Sequence, residues 1–295
     1  MKVACRFLIV LTFLWCASFV SAQELSRQQV GELLERDGCV TLAAGKVKVC
    51  KYDYSSDGLS MEAISFRPVA DGPFPALMLI PGYARTARDY LPLGIMFAGE
   101  GYACVAITQP GFGKSQGRPD YVGPATLKAL TAGWKKFKQE PFVDSKRMGI
   151  YGHSRGGMAA SLLSVRLDDV RAAILSAGVY DFKKAYDEAM IEGIRENMKS
   201  ETGMTDEAVR ERSSILQMEN LKCPVLILHG DKDENVSVGQ ALLLRDRLTA
   251  LKKEFELKIF PGQDHALRSG STAKEVNMTM LDFLKRRLAA VNSNK

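Results

Sequence analysis

Three residue types stand in this chain where acyl-transfer chemistry would need them: a serine between glycines, a histidine after one strand-like run, and carboxylates after another. The serine lies in Gly152-His153-Ser154-Arg155-Gly156-Gly157. That stretch follows the strand-like Arg147-Met148-Gly149-Ile150-Tyr151 and opens a helix of small residues, Met158-Ala159-Ala160-Ser161-Leu162-Leu163. Gly-x-Ser-x-Gly in a strand–turn–helix setting lifts a hydroxyl above a sheet as a nucleophile. The turn is so sharp that side chains two residues either side of the serine would collide, and Gly152 and Gly156 have no Cβ to do so. The plainer reading, an ordinary serine in a glycine-rich turn, does not account for the flanking strand and helix.

A serine hydroxyl needs a neighbouring base, and the base needs a carboxylate to fix its tautomer and steady its positive charge. The chain has three histidines. His153 sits inside the turn, badly placed to deprotonate its own neighbour. His229 ends the apolar run Pro224-Val225-Leu226-Ile227-Leu228, a buried strand end where a structural role is expected. His265, in Pro261-Gly262-Gln263-Asp264-His265, directly follows the strand-like Phe255-Glu256-Leu257-Lys258-Ile259-Phe260 and is the candidate base. Gly230-Asp231-Lys232-Asp233 offers two acids. Asp264 adjoins His265, but sequence-adjacent side chains rarely reach the geometry of a base–orienter hydrogen bond. These candidates fall on loops just past strand ends, where open α/β sheets place their sites.

In the order Ser…Asp…His, the chain resembles the α/β-hydrolase superfamily, most nearly the dienelactone-hydrolase and prolyl-oligopeptidase-type (S9-like) catalytic domains, from about residue 55 to 290. The resemblance implies a mostly parallel central sheet flanked by helices, with a small helical cap insertion over about 178–222. It puts the acid on Asp233, three residues after Gly230, and leaves Asp231 to cap the turn. It draws the two oxyanion N–H donors from Arg155 and from Tyr83, in Pro81-Gly82-Tyr83-Ala84-Arg85 after the strand Pro75-Ala76-Leu77-Met78-Leu79-Ile80. Gly82 would permit close backbone approach there. The longer glycine-rich version of this loop, found in some lipases and esterases, is missing. Dienelactone hydrolases use cysteine at the elbow, and dehalogenases and epoxide hydrolases use aspartate. Serine implies acyl transfer to water from an ester, thioester or amide through an acyl-enzyme. No cofactor or metal is expected: there is no His/Cys cluster at zinc spacing and no Gly-rich phosphate loop.

The first expectation is therefore a hydrolase of small or medium carboxylic esters. The alternative is an S9-like serine peptidase acting on short peptides. Such peptidases usually carry an extra propeller domain, for which the chain leaves no room, and no carboxylate pair to grip a substrate ammonium is identifiable. A binding protein on a silent hydrolase fold is a third reading, against which a complete Ser154, Asp233, His265 set argues. Oligomeric state is not readable.

Residues 1–22 have a basic start (Lys2, Arg6), an apolar stretch from Phe7 to Val20 and the small-residue site Val20-Ser21-Ala22 before Gln23. That is the pattern of a cleavable secretory signal, too short for a membrane span. A retained anchor is the alternative, and Trp15 before Cys16 argues against lipid attachment. Residues 23–295 form one expected domain, outside the cytoplasm, with no membrane span once the signal is removed. The formal net charge of +6 loses two cations with the signal, and no basic stripe interleaved with aromatics indicates nucleic acid. Cys39 and Cys50 flank two short strand-like runs around an Ala-Gly turn, so a cross-strand disulfide is expected in an oxidising compartment. Superfamily strand order would keep Cys104 and Cys223 apart, free and buried.

Ser26 and Gln29 form a capping box for a first helix with Val30, Leu33 and Leu34 on its apolar face. Short strands follow, through Asp53 and from Met61 to Arg67; from Pro75 strands alternate with helices, as in a parallel sheet covered on both faces. Met190, Ile191, Ile194 and Met198 have the spacing of one helical face, either lining an acyl pocket or packing the insertion. The loop from Gln109 to Gly117 is expected to be structural. Arg85 and Arg88 are candidates for an acidic substrate group or for ion pairs. Asn235 and Asn277 begin glycosylation sequons.

Overall fold

The computed structural model describes residues 25–289; the expected signal segment, 1–22, lies outside them. Helix α1 (Arg27–Asp37) starts at the Ser26–Gln29 capping box, both reciprocal hydrogen bonds of which form. It buries Val30 and Leu34. Strands β1 (Cys39–Leu42) and β2 (Val47–Lys51) pair antiparallel with Cys39 opposite Cys50, and the two cysteines are disulfide-bonded as expected. A separate hairpin, β3 (Tyr54–Ser56) and β4 (Leu59–Met61), precedes β5 (Ala63–Pro68).

From there strands and helices alternate: β6 (Phe74–Ile80), α2 (Leu91–Gly99), β7 (Ala103–Ile107), α3 (Pro124–Phe137), β8 (Val143–His153), α4 (Arg155–Ser164) and β9 (Ala172–Ser176). Three short helices follow, α5 (Phe182–Glu188), α6 (Glu192–Thr202) and α7 (Asp206–Arg212), with a 3-10 turn at Ser214–Asn220. The chain closes with β10 (Val225–Gly230), α8 (Gly239–Ala250), β11 (Phe255–Phe260) and α9 (Thr272–Arg287). Nine strands form one sheet in the order β1-β2-β5-β7-β6-β8-β9-β10-β11. The six from β7 to β11 are mutually parallel, and β1, β2 and β5 extend one edge antiparallel.

Parallel strands are covered on both faces, so their residues are apolar on both. In β6, Ala76, Met78 and Ile80 face one core and Leu77 and Leu79 the other. The first core takes Leu130, Trp134 and Phe137 of α3, Met158 and Leu162 of α4 and Leu244 of α8. The second takes Val30 of α1, Phe97 of α2 and Phe283 of α9. Every residue of α4 is buried, and after Arg155 its sequence is small or apolar throughout. Cys104 and Cys223 are free and buried, and burial pushes the Cys223 thiol up to about 12.

The expected helical face from Met190 to Met198 forms only in part. The chain breaks between α5 and α6, leaving Met190 and Ile191 exposed ahead of α6, while Met198 is buried and Ile194 partly so. The Asp181 and Thr205 side chains cap α5 and α7. These helices stay short because caps and breaks recur, which the apolar spacing does not register.

Candidate active site

Strand order reverses around β6, with β7 on one side and β8 on the other. In a parallel sheet this opens a crevice beyond the carboxyl ends of the strands. Tyr83 follows β6, Ser154 follows β8, Asp233 follows β10 and His265 follows β11, so four separate loops meet there. All four residues line one cavity of about 1310 Å³, together with Arg155.

Ser154 stands between β8 and α4 at φ 59°, ψ −126°, a conformation that costs a non-glycine residue roughly 1–3 kcal/mol and persists only where the surroundings enforce it. Its N–H donates to Ser176 O at 2.8 Å, and its carbonyl accepts the Met158 N–H at 3.1 Å, starting α4. The glycine requirement differs in detail from the expected mutual collision. A Cβ on Gly152 would fall 1.9 Å from Gly156 O, whereas a Cβ on Gly156 would fall 2.0 Å from Ile80 O at the end of β6. Gly156 therefore makes room for the neighbouring strand. On the other side of the serine, a Cβ on Gly82 would lie 3.2 Å from Ser154 Cβ, so the loop bearing Tyr83 passes directly over it. Among the described residues, the Tyr83 and Arg155 N–H groups have no hydrogen-bond acceptor. Gln109, expected only to shape its own loop, donates from Nε2 to Pro81 O at 2.6 Å and anchors the Tyr83 loop.

His265 Nδ1 lies 2.7 Å from Asp233 Oδ2. A carboxylate oxygen can only accept, so Nδ1 carries the hydrogen, and in the neutral ring Nε2 keeps its lone pair. The Asp233 side chain is fully buried, and that of His265 is 17% exposed at the cavity. Asp233 Oδ1 accepts the N–H groups of Asn235 and Val236, both at 2.9 Å. Burial alone would raise the Asp233 carboxyl, but the nearby His229 Nε2 and the hydrogen bond from His265 outweigh it and hold the group well below the usual carboxylate range. Asp231 instead accepts the Gly262 N–H at 2.6 Å, tying the loop after β10 to the turn after β11. Asp264 accepts the Ala266 N–H within its own turn.

The other two histidines also reach this site. His229 is fully buried, with Nε2 2.9 Å from Val236 O and 3.2 Å from Asp233 Oδ2. Its structural role is thus to brace Asp233, a contact that sequence position did not disclose. The His153 ring packs on His265 at 4.9 Å between centroids, with Nδ1 3.1 Å from Ser176 Oγ. Burial, then the neighbouring His265, push the His153 imidazole down to about 3. Arg85 pairs with Asp89 at 3.5 Å, and Arg88 pairs with Glu35 and Glu62, so both make ion pairs. Met190, Ile194 and Met198 line the cavity, as do Val179 and Val236. So do Glu188 and Glu234, carboxylates that spacing alone did not bring together.

Residues 96–290 match the family model described as the prolyl oligopeptidase family. The chain is 30% identical over 209 residues to the uncharacterized peptidase YtmA of Bacillus subtilis, covering 69% of this chain and 80% of that one. It is 27% identical over 205 residues to dipeptidyl-peptidase 5 of Porphyromonas gingivalis, covering 65% of this chain but 30% of that one. In fold it is similar to the acylaminoacyl peptidase of Pyrococcus horikoshii, with a TM-score of 0.74, 19% identity, and coverage of 90% of this chain and 45% of that one. The chain thus spans most of the short bacterial relative and less than half of the longer two. With the elbow, the parallel sheet and this match over most of its length in hand, the chain is assigned to the prolyl oligopeptidase family of serine hydrolases.

Proposed function

We propose that Ser154, His265 and Asp233 are the catalytic triad of a peptidase that acts on short peptides. The observation that carries this is the 2.7 Å His265–Asp233 hydrogen bond in the cavity that also holds the Ser154 elbow. Ser154 Oγ attacks the scissile carbonyl carbon while His265 Nε2 takes its proton. Asp233 stays ionised and steadies the resulting imidazolium. The Tyr83 and Arg155 N–H groups, which have no acceptor among the described residues, receive the developing oxyanion. Collapse of the tetrahedral adduct breaks the C–N bond, and His265 returns the proton to the leaving amine. Water then attacks the acyl-enzyme by the same path in reverse, regenerating Ser154.

Family membership and the peptidase names of the relatives favour an amide over the ester expected first. Ester cleavage is the second reading, favoured by the apolar cavity wall of Val179, Ile194, Met198 and Val236, which suits an acyl chain with no charged end. The test sets aminoacyl and prolyl p-nitroanilides beside p-nitrophenyl esters of graded length, with Ser154→Ala as control. Ser154-dependent anilide cleavage is expected; turnover of esters alone would overturn the peptidase reading and leave the esterase. The Cys39–Cys50 disulfide and the 1–22 segment together support a site of action outside the cytoplasm. Mass spectrometry of protein recovered from the cell exterior should find a chain beginning at Gln23.

A further inference from the structure

Arg155 offers two different parts to this site. Its backbone N–H opens α4 at the cavity, while its side chain runs beneath Tyr83 into an aromatic box. The guanidinium centre lies 3.9 Å from the Tyr121 ring centroid, 4.6 Å from that of Tyr83 and 5.6 Å from that of Phe112. Its Nη1 and Nη2 donate to Glu201 Oε2 and Oε1, each at 2.9 Å, and the two side chains are 4% and 12% exposed. This is the two-pronged geometry that fixes orientation as well as distance, and a lysine could not reproduce it.

Glu201 belongs to α6, one of the helices between β9 and β10. Its Oε2 also accepts the Tyr121 N–H at 2.7 Å, and Tyr121 holds a positive φ of 45°. From α7, the buried Arg212 donates to Tyr121 O at 3.0 Å and to Asp120 O at 2.6 Å. The inserted helices therefore grip the elbow and the loop ahead of α3 through one connected set of bonds. The Tyr83 loop depends on the same set. Half of the Tyr83 side chain is in solvent, its ring rests edge-on against Phe112, and the Arg155 guanidinium lies under its face.

We propose that Arg155 and Glu201 form a clamp that keeps the Tyr83 and Arg155 N–H groups in register for the oxyanion, which makes Glu201 a positioning residue for hydrolysis. This rests on the triad reading given above. Donors stabilise a transition state only when fixed about 2.7–3.1 Å from where the oxyanion will form. Glu201 fixes the guanidinium, the guanidinium fixes the Tyr83 ring, and the ring fixes the loop whose backbone donates.

The test compares Glu201→Gln with wild type by kcat and KM on whichever ester or anilide the wild type cleaves through Ser154. It also measures affinity for an alkyl boronic acid, a mimic of the tetrahedral adduct, and the Tm. The clamp predicts a kcat about 10–100-fold lower with KM within about threefold, and boronic acid affinity falling in step with kcat/KM. Since the single variant strands a buried arginine, Arg155→Met/Glu201→Leu serves as a second probe; it fills the box with apolar groups, as buried pairs often tolerate. This double variant is expected to recover Tm while kcat stays low. A folded variant of either kind with wild-type kcat and boronic acid affinity would overturn the clamp and leave Glu201 a structural tether. Wild-type protein with no Ser154-dependent turnover would overturn the triad reading and the clamp together, a result distinct from active wild type beside unimpaired variants.

Discussion

The elbow after β8 and the acid loop after β10 hold the proposed nucleophile and acid by opposite means. At the elbow the backbone does the holding. Ser154 is locked at positive φ because Gly152 and Gly156 let the start of α4 and the end of β6 approach within distances that no Cβ would tolerate. At the acid loop side chains do it. Asp233 is fixed by two backbone N–H groups, His265 and His229, and Asp231 ties the loop to its neighbour. A backbone device fails when a single atom is added, whereas a hydrogen-bonded device fails when a donor or acceptor is lost. The first leaves a mark in sequence, as glycine; the second does not.

Four predictions press on that contrast. The largest effect belongs to Ser154→Ala, which should lower Ser154-dependent kcat by about 10⁴-fold or more with Tm little changed, because the elbow's glycines remain. A matched pair of Tm and kcat measurements decides it. Next, Asp233→Asn should cost about 10³–10⁴-fold in kcat, since the amide would present a donor to His265 and favour the wrong tautomer. Asp231→Asn, which keeps an oxygen for the Gly262 N–H, should stay within about threefold of wild type; a larger loss than at Asp233 would reverse the assignment of the acid.

Third, Gly156→Ala should destabilise by about 3 kcal/mol or more, read by urea denaturation, because its Cβ would meet the carbonyl of Ile80 with no flexible side chain to yield. Equal stability would mean that the elbow is not backbone-locked. The fourth prediction concerns pH. In the unfolded chain the His153 imidazole titrates near 6.5, and in the folded state its value is pushed down to about 3. Between those values the unfolded state binds the extra proton, so stability should fall as pH drops from about 6.5 toward 3. His153→Gln should flatten that part of the Tm–pH curve. Asp233, held below its ordinary value, acts in the same direction at lower pH, with its contribution present above the unfolded value near 3.8 and lost as pH falls through its folded value.

Much of the architecture was legible because parallel strands and their helices follow from local pattern. The runs from Phe74 to Ile80 and Ala103 to Ile107 are apolar throughout, those from Ala172 to Ser176 and Val225 to Gly230 are apolar up to Ser176 and His229, and all four became largely buried strands. The Ser26–Gln29 box became a helix start, and Cys39 found Cys50 across a hairpin. The inserted helices were the least legible part. The apolar spacing from Met190 to Met198 suggested one helical face, and the break before Glu192 left Met190 and Ile191 outside the helix.

By itself the sequence determined what is encoded by residues near one another: the glycines of the elbow, the strand preceding each loop, and the order in which serine, acid and histidine arrive. Tertiary structure alone decided which distant groups meet. Glu201 reads in sequence as one more charge on a solvated helix, and becomes the partner of Arg155 forty-six residues earlier. His229 reads as a strand end and becomes the brace of Asp233. The reason is physical. Local pattern reports backbone conformation and burial, which each segment largely sets for itself. The pairing of buried polar groups depends on which loops the sheet order places side by side, and that is fixed only when the strands assemble.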